Sequence, residues 1–243
     1  MKLINFFAQS YYSMVVMIVA TVAALVVSIR YYGRHKDLRI FTYYIAFSLL
    51  EDVIGICGYM APDRRSAYLP TSIAINSFAL FEFIICHLFI LHYISSPKRR
   101  LVIKINLFVY PALLAFILIE KYPASITTPY FLLGCFFLVL PCLLYFYELF
   151  QKVNLQPLKD QPAFWIVTAF LFHNACNIPF ALTGGILGKY FLGKYWGAAS
   201  SVVYILYSIV FLFIIRANLC SPENNGDHPG IPKNADRTRQ RSF

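Results

Sequence analysis

The chain has 243 residues, of which 59% are hydrophobic and 13% charged, with a formal net charge of +10. Globular domains carry about 25% charged residues, so this balance excludes an ordinary soluble domain over most of the length. The basic residues lie between apolar runs and form no soluble face, which excludes a nucleic-acid footprint as the source of the charge.

A run of about 20 apolar residues spans a bilayer, and about seven such runs follow one another here. The predicted spans are residues 11–29, 40–61, 71–94, 101–119, 128–150, 163–187 and 195–215. Lys2 ahead of the first run resembles a signal peptide. The cluster Arg30, Arg34, Lys36 and Arg39 directly after it favours a retained anchor. Lys104, Asn106 and Pro111 dilute the fourth span, and Gly188 to Lys194 separate the sixth from the seventh. The expected fold is therefore all-α: an integral membrane bundle of about seven transmembrane helices over residues 1–219. Residues 220–243 are rich in Pro, Gly, Asn and charge, and read as a disordered tail.

Orientation follows from Lys and Arg. Alternate loops hold Arg30 to Arg39, then Lys98, Arg99, Arg100 and Lys104, then Lys152 and Lys159, with Arg216 and the tail on the same side. Positive charge is retained in the cytoplasm during insertion, so the amino terminus is expected outside and the carboxyl terminus inside.

Cys57, Cys86, Cys135, Cys142 and Cys176 fall within spans, where cysteine packs as a small apolar residue, and Cys220 follows the last span. None has zinc-site spacing, and no two histidines sit at helical spacing to share a metal, so no metal or cofactor is expected. The stretch 196–215 has no lysine for a retinal Schiff base, and Gly-x-Ser-x-Gly is absent. No catalytic residue is assigned.

Polar residues inside the spans carry the functional signal. A charged group at mid-bilayer costs about 2.5–3.5 kcal/mol even on the lenient insertion scale. Glu51 and Asp52 sit near the centre of the second span, and Glu82 near that of the third, with Asn76 and His87 to either side. The sixth span carries His173, Asn174, Asn177 and Pro179, and the seventh Ser200, Ser201, Tyr204 and Tyr207. Counting inward from each face puts Glu51, Asp52, Glu82, His173 and Tyr204 in one layer. His173 and Asn177 share a helix face with Asn174 beside it, and Glu51, Gly55 and Gly58 share a stripe that invites close helix approach.

The candidate ligand- or proton-binding residues are thus Glu51, Asp52, Asn76, Glu82, His173, Asn174, Asn177 and Tyr204, with Glu82 and His173 expected to meet. One reading is a polar cavity open to the outside. The other is interhelical hydrogen bonding, worth about 0.6 kcal/mol per bond, that fixes which helix packs where. Glu148 is expected to reach water at the inner end of the fifth span. Pro141 and Pro179 each free a backbone carbonyl and are expected to splay the outer helix halves.

Tyr145-Phe146-Tyr147-Glu148-Leu149-Phe150, Gln161-Pro162-Ala163-Phe164-Trp165-Ile166, and the stretch from Asn76 to Glu82-Phe83 resemble a set of small bacterial seven-span inner-membrane proteins. The resemblance covers the spans and not the tail. It implies a multi-pass protein of the bacterial plasma membrane with a sensory or accessory role. Its expected partners are the lipid bilayer and a cytoplasmic or membrane signalling protein. Buried acids also suit a proton- or cation-coupled transporter.

Overall fold

A chain crossing lipid has to satisfy its backbone N–H and C=O groups within each segment, so unbroken apolar runs become helices. The computed structural model describes residues 2–34, 36–60, 64–121, 128–151 and 157–220. The tail predicted to be disordered, from Ser221 on, lies outside the described residues. The helices are α1 (Lys2–Arg30), α2 (Arg39–Met60), α3 (Arg64–Tyr93), α4 (Pro97–Lys121), α5 (Thr128–Gln151) and α6 (Pro162–Leu219). No strand occurs among the described residues.

Five described segments are long and apolar enough to cross a membrane: Tyr12–Arg30, Lys36–Cys57, Ile73–Tyr93, Leu132–Gln151 and Ser201–Leu219. The predicted fourth and sixth spans run past Phe116 and Pro179 into side chains outside the described residues, so five of the seven expected spans are found among the described residues.

The predicted sixth and seventh spans fall within one element, α6, of 58 residues. That element is not straight. Trp165 and Phe213 would stand about 72 Å apart along a straight helix, at 1.5 Å per residue. Their ring centroids lie 5.5 Å apart. The arm ending near Pro179 and the arm from Ser201 onward therefore run antiparallel.

Lateral neighbours follow from named contacts. The α1 helix runs parallel to the second arm of α6, through Ser13 Oγ to Ser201 Oγ at 3.0 Å and Asn218 Nδ2 to Ser28 Oγ at 3.2 Å. The α2 and α3 helices are antiparallel, with Phe41 4.9 Å from Phe89 and Phe47 5.0 Å from Phe81. Gly55 does not provide the expected close approach, because a Cβ there would meet nothing within 4 Å. What a Cβ at Gly58 would meet lies outside the described residues. The close approach is at Gly134 on α5, where a Cβ would stand 2.6 Å from the Tyr110 hydroxyl oxygen of α4.

The α3, α4 and α5 helices meet around one amide. Asn106 Nδ2 lies 2.9 Å from His87 Nε2 and 2.7 Å from the Phe137 carbonyl oxygen, while His87 Nδ1 faces the Phe83 carbonyl at 2.8 Å. Facing a carbonyl, Nδ1 carries the ring proton, so Nε2 accepts from the amide. Phe137 is four residues before Pro141, which has no N–H to give it. Asn106 therefore donates to the carbonyl that Pro141 leaves free, which ties α4 to α5 at that point.

The basic loops gather at one end of the bundle. Arg39 Nε donates to the Tyr32 carbonyl at 3.0 Å, and Asp37 accepts from the Tyr93 hydroxyl at 3.1 Å. The Lys159 carbonyl accepts from Trp165 Nε1 at 2.8 Å and from Arg216 Nη2 at 3.2 Å. Glu148 was expected in water and is instead 4% exposed. It accepts the Ser95 amide at 2.6 Å and pairs with Arg99 in the first turn of α4 at 3.2 Å.

Candidate functional site

Glu82 is placed by α3, eleven residues before its end at Tyr93, or about 16 Å from the basic end of the bundle. Tyr207 is placed by the second arm of α6, twelve residues before Leu219, at about the same depth. The Tyr207 hydroxyl is within hydrogen-bond reach of the Glu82 carboxyl. The Tyr207 ring lies 4.3 Å from the imidazole of His173 on the first arm, and His173 Nε2 is 3.0 Å from Asn177 Nδ2. The helical turn between His173 and Asn177 makes that last contact local. The contacts with Tyr207 are long-range and define the site.

From α2 come Tyr44, Glu51 and Asp52. Tyr44 is fully buried among the rings of Phe78 (5.4 Å), Phe170 (5.8 Å) and Phe211 (6.5 Å). It lies within electrostatic range of Glu82, Glu51 and Tyr207. Glu51 and Asp52 are half-buried and lie within electrostatic range of Tyr204 on the second arm of α6. Glu82 and Glu51 lie within electrostatic range of each other.

Five buried atoms in and around this layer make no hydrogen bond within the protein: Tyr44 OH, Asp52 Oδ2, Asn76 Oδ1, His173 Nδ1 and Asn177 Oδ1. Exchanging the Asn177 amide ends or the His173 tautomer does not help, because one ring nitrogen and one amide atom stay unsatisfied either way. Each such atom costs about 1–3 kcal/mol, and buried polar groups are nearly always satisfied. Several such atoms lie in and around the layer that holds the three carboxyl groups.

Of the residues singled out from sequence, Glu51, Asp52, Glu82, His173, Asn177 and Tyr204 are brought together. Asn174 is buried but its Nδ2 donates to the Phe170 carbonyl of its own helix at 2.9 Å, and so it serves the helix. Asn76 is half-buried with its carbonyl oxygen unpaired, and no described contact joins it to Glu82. Glu82 and His173 are not hydrogen-bonded to each other among the described contacts, and each meets Tyr207.

Two residues were missing from the sequence-derived set, Tyr44 and Tyr207. Both left a trace. Tyr44 is seven residues before Glu51 and Tyr207 three after Tyr204, so each shares a helix face with a residue that was chosen.

Among the described residues, no group of three or more His, Cys, Asp or Glu is arranged to hold a metal ion. No described Lys or Arg is paired with a member of the layer. The arrangement suits binding through hydrogen bonds. Compared with known proteins, the chain matches no family model, no curated protein and no solved structure.

Proposed function

We propose that this is a multi-pass plasma-membrane protein that binds a small ligand in an intramembrane polar chamber and acts as a sensor or accessory to a signalling partner. The observation that carries the reading is the convergence of Glu82, Tyr207 and His173 beside buried polar atoms that the protein leaves unpaired. In this reading the five apolar segments, α4 and the first arm of α6 make seven passes. The amino terminus is outside and the basic end is cytoplasmic, where Arg34, Lys36, Lys98 and Arg100 face the partner. The antiparallel arms of α6 and the shared basic end support that count and that pairing of loops. The aromatic segments around Tyr145 and Trp165, through the resemblance drawn from them, support the bacterial plasma membrane. A cysteine replacing Arg64 should label from outside in intact cells, and one replacing Lys98 should not. The reverse pattern overturns the orientation.

A proton- or cation-coupled transporter is the second reading, favoured by Glu51, Asp52 and Glu82 lying within one layer. Solute flux in proteoliposomes separates the two. A sensor gives none above protein-free vesicles, and flux that Glu82→Gln abolishes establishes the transporter.

A further inference from the structure

We infer that the exposed face of α4 holds one anionic glycerophospholipid, with Arg100 and Lys104 on its phosphate and the apolar row beyond them against an acyl chain. The site lies apart from the polar layer. It rests on α4 crossing the membrane, as proposed above, and adds the chemistry of what α4 meets there.

The α4 helix has 25 residues, about 37 Å, enough to cross a bilayer core of about 30 Å. In its first turn Arg99 is taken by Glu148 and Gln151, at 3.2 and 2.6 Å. Lys98, Arg100 and Lys104 are exposed, and no described side chain pairs with any of them. Four residues apart, Arg100 and Lys104 share a helix face, with Cβ atoms about 5–6 Å from each other. Lys98 points about 160° away from Arg100, at about 100° per residue. Lys104 lies seven residues past the helix start, about 10 Å deeper, where an ammonium without a partner is costly. Helical side chains lean toward the N-terminus, which here is the headgroup side, so Lys104 reaches back along its stem toward Arg100.

A phosphodiester between the two is met by the planar Arg fork and by the Lys point charge, both through charge-assisted bonds. Phe108 continues the row four residues past Lys104 and is 74% exposed, with exposed Ala112 beyond it. An acyl chain descending from the phosphate runs along this row. A zwitterionic lipid brings its own cation to compete for the phosphate, and an anionic lipid does not. A second copy is disfavoured on this face. Two copies share one orientation in the membrane, so joining there would set Lys104 against Lys104. Arg100 thus serves the lipid, and Arg34, Lys36 and Lys98 remain for the signalling partner.

The test uses the full-length chain with its native cysteines replaced by alanine and one fluorophore on Ala112→Cys, reconstituted in phosphatidylcholine vesicles. The quencher is phosphatidylglycerol or phosphatidylcholine with a nitroxide on the acyl chain. Phosphatidylglycerol should reach half-quenching at about a tenfold lower mole fraction. Arg100→Gln and Lys104→Gln should each reduce that preference about fivefold, the attraction of one cation near the surface. Lys104→Arg and Lys98→Gln should keep it. Equal quenching by the two lipids, or a preference that Lys98→Gln weakens as much as Lys104→Gln, overturns the site and leaves α4 as a pass. Quenching by neither lipid overturns the pass as well. Inorganic phosphate abolishing the preference where sodium chloride of equal ionic strength does not would assign the face to a soluble anion and overturn the lipid. Self-quenching of the fluorophore that grows with the protein-to-lipid ratio would put a second copy there and overturn it likewise.

Discussion

Tyr207 presents its hydroxyl to the Glu82 carboxyl and its ring to His173, 4.3 Å between centroids, so one side chain joins α3 to both arms of α6. Glu82 and His173 are thus neighbours through a mediator. The polar layer is organised by a residue whose phenol serves both a carboxyl group and an aromatic stack. Tyr204, one turn earlier, lies within electrostatic range of Glu51 and Asp52.

The coupling in this trio should follow that geometry. In a double-mutant cycle of unfolding free energy, Glu82→Gln and Tyr207→Phe should couple by about 0.6–1.7 kcal/mol, the range of interhelical bonds in membranes. Glu82→Gln and His173→Gln should couple less, because no described bond joins them. A stronger Glu82–His173 coupling than Glu82–Tyr207 coupling would mean the mediator is misassigned.

The amide of Asn106 serves a carbonyl freed by proline, and this gives a background-dependent effect. Asn106→Leu should destabilise the protein by about 1–3 kcal/mol, since His87 Nε2 and the Phe137 oxygen both lose their donor. With Pro141→Ala in place, residue 141 supplies an N–H to Phe137, and the same substitution should cost measurably less. Equal costs in the two backgrounds would show that the proline carbonyl is not what Asn106 serves.

Two glycines should respond oppositely to alanine. At Gly134 the added methyl meets the Tyr110 hydroxyl at 2.6 Å, and that ring is held by Phe83 at 4.5 Å and Phe137 at 5.7 Å. Gly134→Ala should therefore cost about 1–3 kcal/mol through overpacking. Gly55→Ala meets open space inside a helix and should stabilise by about 0.4–1 kcal/mol through reduced backbone freedom in the unfolded chain. Thermal or denaturant unfolding of the two variants reads the sign directly.

The reversal of α6 is checked by cross-linking. With the native cysteines replaced by alanine, the pair Trp165→Cys and Phe213→Cys should form an intramolecular disulfide on mild oxidation. The two native rings already pack at 5.5 Å. A control pair of Trp165→Cys with Ile73→Cys, near the other end of the bundle, should not. A failure of the first pair to cross-link in folded protein would mean the arms are not side by side.

The sequence by itself determined the helices and the depth of their polar residues. Bilayer thickness sets segment length and backbone satisfaction forbids anything but a helix, so α2 and α5 begin and end within two residues of their predicted bounds. A fixed rise per residue then puts Glu51, Glu82 and His173 at one level without knowledge of any contact. Neighbourhood was decided only by the tertiary structure. That Tyr207 reaches Glu82, that Asn106 bridges His87 and Phe137, that Asn174 turns back on its own helix, and that Gly134 and not Gly55 marks a close approach depend on lateral fit between segments distant in the chain. Lipid is as apolar as the helix surfaces it surrounds, so hydrophobic pattern does not choose a partner face. Individual polar contacts and steric fit make that choice, and neither is written in the periodicity of one helix.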